Sequence, residues 1–317
     1  MEYLILILSL AGIVLGADFL VKGAVVVARK CRVSSFVIGA VIVGIGTSLP
    51  ELVVSTVGAI GGNSEVAIGN VVGSNIFNVF AILGLTALFF PIAVSRENMK
   101  FEIPFCIAVS ILLMLLVYNF FIVGEPRLGR WDGAALLLVF TSFMWISLRR
   151  GKSSAATVGE SVEEENKSLW FAAFSILGGL AALIVSSNFF VDEAVAIARK
   201  LGVSDAFISI TLLACGTSLP ELAASVTAAV KKDTDMALGN IIGSNIFNVT
   251  MILGTASLIT PLTTGKIGLV DYGAMILAAV LPMIFGIRGK ITRFEGLLML
   301  LCYAAYTWYI VTYVMAV

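Results

Sequence analysis

The sequence predicts an all-α membrane protein with ten transmembrane helices arranged as two inverted five-helix repeats. Three observations predict it: an apolar composition, regularly spaced apolar runs, and self-similarity between the two halves of the chain. Hydrophobic residues make up 59% of the 317 residues and charged residues 13%, whereas soluble domains are about 45–50% apolar and about 25% charged. The recurring apolar runs have about the 20-residue length that a bilayer core demands of a helix.

The expected spans lie near 3–26, 36–57, 66–90, 101–120, 130–148, 169–191, 205–229, 236–260, 269–287 and 292–315. Met1 to Leu20 is apolar but for Glu2 and Asp18, and Lys22 also falls within the first span. No small-residue cleavage site follows it, so it is expected to be a membrane helix and not a removed signal peptide. The one long polar stretch runs over 149–168 and holds Ser153, Ser154, Glu160, Glu163, Glu164 and Glu165. It reads as a solvated linker. The expected organisation is a first repeat over 1–148, a cytoplasmic linker over 149–168 and a second repeat over 169–317.

Displacing the chain against itself by 170 residues exposes the repeat. Gly46 to Leu52 (GTSLPEL) equals Gly216 to Leu222, and Gly73 to Val79 (GSNIFNV) equals Gly243 to Val249. Gly69-Asn70 matches Gly239-Asn240, Ala28-Arg29-Lys30 matches Ala198-Arg199-Lys200, and Pro91 matches Pro261. Packing alone does not explain why the identity concentrates on Thr, Ser, Asn, Pro and Glu. Five spans per half is an odd number, so the second half enters the membrane from the opposite side. The halves are then related by a pseudo-twofold axis in the membrane plane.

Basic residues test the span count. The odd-numbered connections hold Arg29, Lys30, Arg32, Arg96, Lys100, Arg149, Arg150, Lys152, Lys167, Lys231, Lys232, Arg288, Lys290 and Arg293. The even-numbered ones hold only Arg127, Arg130, Arg199, Lys200 and Lys266. Positive charge stays on the cytoplasmic side. The odd loops are therefore expected inside and both termini outside, as in a multi-pass protein of the cell membrane.

Composition removes several classes of chemistry. The chain has no histidine, which excludes Ser-His and Cys-His nucleophile pairs and His-ligated zinc. Cys31, Cys106, Cys215 and Cys302 are scattered without a CxxC pair and read as small apolar residues in helices. A net charge of zero gives no basis for a nucleic-acid partner. No cofactor is expected, and no feature of the sequence encodes an oligomeric state.

Glu51 and Glu221 lie inside otherwise apolar spans, where a carboxylate costs on the order of 2.5–3.5 kcal/mol. Thr47 and Ser48 precede Glu51 by four and three residues, as Thr217 and Ser218 precede Glu221. Each trio is therefore expected to share one helix face. Gly44 and Ala214 lie a further turn back. Pro50 cannot donate to the carbonyl of Gly46, nor Pro220 to that of Gly216, which frees a carbonyl oxygen near each acid. Ser74 and Asn78, and likewise Ser244 and Asn248, are four residues apart and supply an opposing wall. Asn70, Asn75, Asn240 and Asn245 add amides, whose oxygens can bind a hard cation and whose NH₂ groups can hold a carboxylate. Carboxylates, hydroxyls and carbonyls form an all-oxygen set suited to Ca²⁺ and Na⁺. Two carboxylates neutralise one Ca²⁺, two Na⁺ or two H⁺, and exclusive occupation of the pair by one or the other is the physical basis of antiport. Asp18, Asn188, Asp192 and Glu193, in the first and sixth spans, read as span-edge residues facing water.

GTSLPE and GSNIFN, each present twice in a ten-span chain, resemble the two α-repeats of the cation/Ca²⁺ antiporter superfamily, most closely its prokaryotic sodium/calcium exchangers. The resemblance covers nearly the whole chain. It implies secondary-active exchange of Ca²⁺ against Na⁺ by alternating access at a midplane site, in a protein that is not an enzyme and takes the two ions as substrates. It implies a Ca²⁺ site at Glu51 and Glu221. Further ligands are implied at Thr47, Ser48, Ser74, Asn78, Thr217, Ser218, Ser244 and Asn248, with the carbonyls of Gly44 and Ala214. It also implies a rigid core of helices two, three, seven and eight, across which helices one and six slide. Relatives often carry Asp where this chain has Asn248. The site is one acid poorer for it, which keeps Ca²⁺/H⁺ antiport as the alternative.

Overall fold

The computed structural model describes residues 2–118, 126–153, 167–202 and 214–314. Their apolar runs fold as helices: α1 (Glu2–Cys31), α2 (Ser35–Thr47), α3 (Leu49–Ile60), α4 (Ser64–Phe89), α5 (Asn98–Tyr118), α6 (Arg130–Ser153), α7 (Leu169–Lys200), α8 (Leu219–Val230), α9 (Thr234–Ile259), α10 (Leu269–Gly286) and α11 (Arg293–Thr312). Among the described residues, eight of these are long and apolar enough to cross a membrane. Counted as one span, the bent pair α2–α3 brings the number to nine. The expected span over 205–229 begins outside the described residues, and α8 is its described part. Most of the linker also lies outside them, although α6 continues past the expected boundary at 148 to Ser153.

The first and sixth spans are longer than hydropathy suggested, with helices of 30 and 32 residues. The helical hydrogen-bond ladder does not stop where the apolar run stops, because Ala, Val, Ile, Arg and Lys all continue it. Asp18 therefore stands in mid-helix and not at a span edge. It is half-buried and paired with Lys22 (2.6 Å) and Lys231 (2.7 Å). Asn188 and Asp192 are exposed and Glu193 is half-buried.

α1 and α7 lie antiparallel along each other through small residues. A Cβ on Gly16 would come within 2.8 Å of the Leu183 amide nitrogen, and one on Gly179 within 2.6 Å of that of Leu20. Backbones this close are the usual membrane solution to helix pairing. Lys200 closes one end of the pair onto Glu2 at 2.6 Å. The centre of the molecule is α4 and α9, most of whose residues are buried. α9 also crosses α2 closely: its Gly239 and Gly243 press on Phe36 and Ala40.

Two minimal antiparallel strand pairs tie the connections together. β1 (Ile92–Ala93) pairs with β4 (Lys290–Ile291), and β2 (Arg127–Leu128) with β3 (Leu262–Thr263). β1 and β3 are equivalents at the 170-residue offset, yet they sit in different sheets. Other inter-loop contacts sort the same way. The Ser34 amide donates to the Gly151 carbonyl, Ser64 bonds Thr263, and the Lys266 amide donates to Glu65. Numbered by the ten expected spans, odd connections in these contacts meet odd ones, and even meet even.

Candidate functional site

The span holding the first motif breaks at Ser48. That residue leaves helical geometry (φ −83°, ψ 9°), and α2 and α3 meet there at 47°. Pro50, near the start of α3, has no amide to continue the ladder, so the break falls where the sequence removes a donor. Ser218 repeats the geometry before α8 (φ −92°, ψ 7°), with Pro220 in the same role. Glu51 and Glu221 each fall in the first turn of the new helix, where the positive end of the helix dipole favours an anion.

The break alters one expectation. Thr47, Ser48 and Glu51 do not share the face of one continuous helix, because the turn at Ser48 swings its hydroxyl away from its own repeat. Ser48 Oγ donates instead to Glu221 Oε1 at 2.8 Å, and Ser218 Oγ donates to Glu51 Oε1 at 2.9 Å. Each carboxylate is held by the serine of the other repeat. Ser74 Oγ lies 3.4 Å from Glu51 Oε1 and 3.1 Å from Ser218 Oγ. Both glutamates are wholly buried. Among the described residues neither has an ion pair to Lys or Arg, and the second oxygen of each, Oε2, has no hydrogen-bond partner. Two unneutralised carboxylates in this setting carry a large desolvation penalty.

Of the remaining expected ligands, Thr47, Gly44, Ser244, Asn78 and Asn248 join this group through hydrogen bonds, directly or by way of a neighbour. Thr47 Oγ1 donates to the Gly44 carbonyl (3.4 Å) and lies 3.3 Å from Asn240 Oδ1. Ser244 Oγ donates to the same Gly44 carbonyl at 3.2 Å. The Gly44 oxygen also receives the Ser48 amide at 3.1 Å, so it is shared and not free. Among the described residues, Asn78 Oδ1 and Asn248 Oδ1 are buried without a hydrogen-bond partner, and Thr217 faces the Glu51 carboxylate. Ala214 opens a short helical turn, Ala214–Gly216, before the break. Asn78 and Asn248 each begin a widened π-turn, Asn78–Leu83 and Asn248–Ile252, a local insertion common where a helix serves a site.

Asn70 and Asn240 act differently from expectation. Their NH₂ groups hold the main-chain carbonyls of the glutamates and not the carboxylates. Asn70 Nδ2 donates to Glu51 O (3.3 Å) and Ser55 Oγ (3.1 Å), and Asn240 Nδ2 to Glu221 O (3.2 Å) and Ser225 Oγ (2.8 Å). Ser55 and Ser225 were not singled out from the sequence, although they match at the 170-residue offset just beyond the identical heptapeptides. Among the described residues no three acidic, cysteine or histidine side chains converge. A cation here would rest on two carboxylates and neutral oxygens.

Comparison with known proteins bears on what such a site does. The sodium/calcium exchanger protein family matches residues 1–149 and 171–312. The sodium/calcium exchanger MaX1 of Methanosarcina acetivorans is 35% identical over 339 aligned positions, covering 96% of this chain and 97% of that protein. The inner membrane protein YrbG of Escherichia coli is 33% identical, covering 87% and 86%. A solved structure of the sodium-calcium exchanger NCX_Mj superposes with a TM-score of 0.83 at 32% identity, covering 98% of each chain.

Proposed function

The chain belongs to the sodium/calcium exchanger family, as its match along nearly the whole length requires, and from that premise we propose how its residues carry out exchange. It is a multi-pass membrane antiporter and not an enzyme, and Ca²⁺ and Na⁺ are its substrates. Glu51 and Glu221 form a single shared seat for cations. The observation that carries this reading is the pair of buried carboxylates, each held by the other repeat's serine and, among the described residues, each with an orphan oxygen and neither with a basic partner.

The two acids balance one Ca²⁺ or two monovalent ions, so occupancy by one excludes the other. Ser48, Ser74, Thr217 and Ser218 supply hydroxyl oxygens, and Asn78 and Asn248 supply amide oxygens. Thr47 and Ser244 join once their hydroxyls turn from the Gly44 carbonyl, which is itself a ligand together with that of Ala214. All are hard oxygen donors of the kind Ca²⁺ and Na⁺ take.

In this reading ten spans form two inverted repeats, 1–148 and 169–317, joined by a cytoplasmic linker over 149–168, with both termini outside the cell membrane. The pairing of odd connections with odd and even with even supports it, as does the separation of the equivalent strands β1 and β3 into different sheets. The helix pair α1–α7, packed tightly on itself, is the unit that slides across the core to alternate access. Glu51→Gln and Glu221→Gln are expected to abolish Na⁺-driven uptake of radioactive Ca²⁺ into inverted vesicles while leaving the protein folded in the membrane. Undiminished uptake by either variant would refute the shared seat. Uptake driven by an imposed H⁺ gradient but not by Na⁺ would replace Na⁺ with H⁺ as counter-ion.

A further inference from the structure

Asn75 and Asn245 are equivalents in the two repeats, and they bind each other's main chain across the pseudo-twofold. Asn75 Nδ2 donates to the carbonyl oxygen of Asn245 at 3.1 Å, and Asn245 Nδ2 to that of Asn75 at 3.2 Å. A main-chain carbonyl can only accept, so it decides which end of each amide faces it. Oδ1 of each asparagine must then point the other way. There Asn75 Oδ1 accepts from Asn248 Nδ2 at 3.1 Å, and Asn245 Oδ1 accepts from Asn78 Nδ2 at 3.0 Å. The constraint passes along. Asn248 has its NH₂ held by Asn75 and also by Ser74 Oγ (3.2 Å), which leaves its oxygen at the far end. Asn78 is oriented by Asn245 in the same way. The two oxygens so released, Asn78 Oδ1 and Asn248 Oδ1, are buried and have no hydrogen-bond partner among the described residues.

We propose that Asn75 and Asn245 are positioning residues that fix the amide polarity of Asn248 and Asn78, each acting across the repeat boundary, so that the site meets a cation with two carbonyl oxygens and no N–H. The proposal rests on the exchanger reading above, in which those oxygens face the transported ion. An amide is nearly symmetric in shape and opposite in electrostatic sign at its two ends. A flipped Asn248 would fit the same space and repel the ion. The backbone-anchored pair Asn75–Asn245 removes that ambiguity without adding charge to the site.

The bonding pattern predicts a specific coupling. Asn75→Leu is expected to raise the calorimetric Kd for Ca²⁺ of the detergent-purified full chain by about 10- to 100-fold, the usual cost of losing an outer-shell orienting partner. In an Asn248→Asp background the same substitution is expected to cost far less, because a carboxylate has no N–H end to present. In an Asn78→Asp background the full loss is expected. Asn245→Leu is expected to show the mirror pattern, muted by Asn78→Asp and not by Asn248→Asp. Asn75→Ala and Asn245→Ala, which leave space and no clash, carry the same crosses should the leucine variants fail to fold. Equal losses in every background would mean a merely structural role and would overturn the proposal, as would no loss at all. Na⁺-driven Ca²⁺ flux of the wild type is read alongside. Binding without flux would refute exchange and leave the coupling interpretable, whereas flux with uncoupled crosses would refute only the positioning role.

Discussion

Ser48 Oγ sits 2.8 Å from Glu221 Oε1, a bond that joins the broken helix of one repeat to the acid of the other. Its counterpart, Ser218 to Glu51, is 2.9 Å. A hydroxyl bond to an ionised group contributes roughly 1.5–3 kcal/mol, which is about a 10- to 100-fold effect on a site that depends on it. Ser48→Ala and Ser218→Ala are expected to raise the KM for Ca²⁺ by such a factor, measured as Na⁺-driven uptake in proteoliposomes. In the proposed shared seat both hydroxyls serve one cation, so the double variant is expected to lose less than the sum. Strict additivity would place the two serines in independent sites.

The side on which the connections lie can be read with a native thiol. Cys31, at the end of α1, is exposed, whereas Cys106 is buried and Cys215 and Cys302 are half-buried. A membrane-impermeant maleimide is expected to label Cys31 in inverted vesicles and not in right-side-out ones, with Cys31→Ser as the control. Labelling from the outside would reverse the orientation drawn from lysine and arginine placement.

Much of this was legible because transport chemistry leaves costly residues in apolar spans. Glu51, Glu221 and the two copies of GTSLPEL and GSNIFNV mark the elements of the proposed site without any fold. The helix break was half legible: Pro50 and Pro220 mark a missing donor, but whether a helix bends or breaks there depends on what packs against it. The exchange of serines between repeats was not legible, because sequence spacing reports neighbours along one helix and says nothing of a partner 173 residues away. The same limit hid the roles of Asn70 and Asn240, whose partners are main-chain atoms that every residue possesses. The length of α1 and α7 was missed for another reason, since hydropathy measures what lipid tolerates and not where backbone hydrogen bonding ends.

The contact of α1 with α7 admits little change. A Cβ at Gly16 or Gly179 meets backbone atoms of the partner helix, and backbone cannot rotate out of the way. Overpacking of this kind costs about 1–3 kcal/mol. Gly16→Leu and Gly179→Leu are expected to lower the Tm of the purified protein by several degrees and to cut exchange sharply. A Gly16→Leu variant with wild-type Tm and flux would mean that the two helices do not stay in this contact.

Lys231, at the turn after α8, reaches Asp18 in mid-α1 at 2.7 Å, and Lys22 completes the group at 2.6 Å. At the 170-residue offset the equivalents of Asp18, Lys22 and Lys231 are Asn188, Asp192 and Gly61, so the opposite half has no such bridge. If the α1–α7 pair slides across the core during exchange, the bridge to Lys231 exists at one end of the stroke only. It then tilts an otherwise near-symmetric equilibrium toward that end. The side chains are 31% and 28% exposed, so the bridge is worth about 0.2–1 kcal/mol, or at most roughly a fivefold change in the balance of the two access states. Lys231→Gln is therefore expected to lower the apparent KM for Ca²⁺ presented at one membrane face and raise it at the other. Asp18→Asn is expected to do the same, and the double variant to add little. Comparing right-side-out with inverted vesicles reads the two faces separately. A change of the same sign on both faces would show that the bridge stabilises the protein without biasing its stroke.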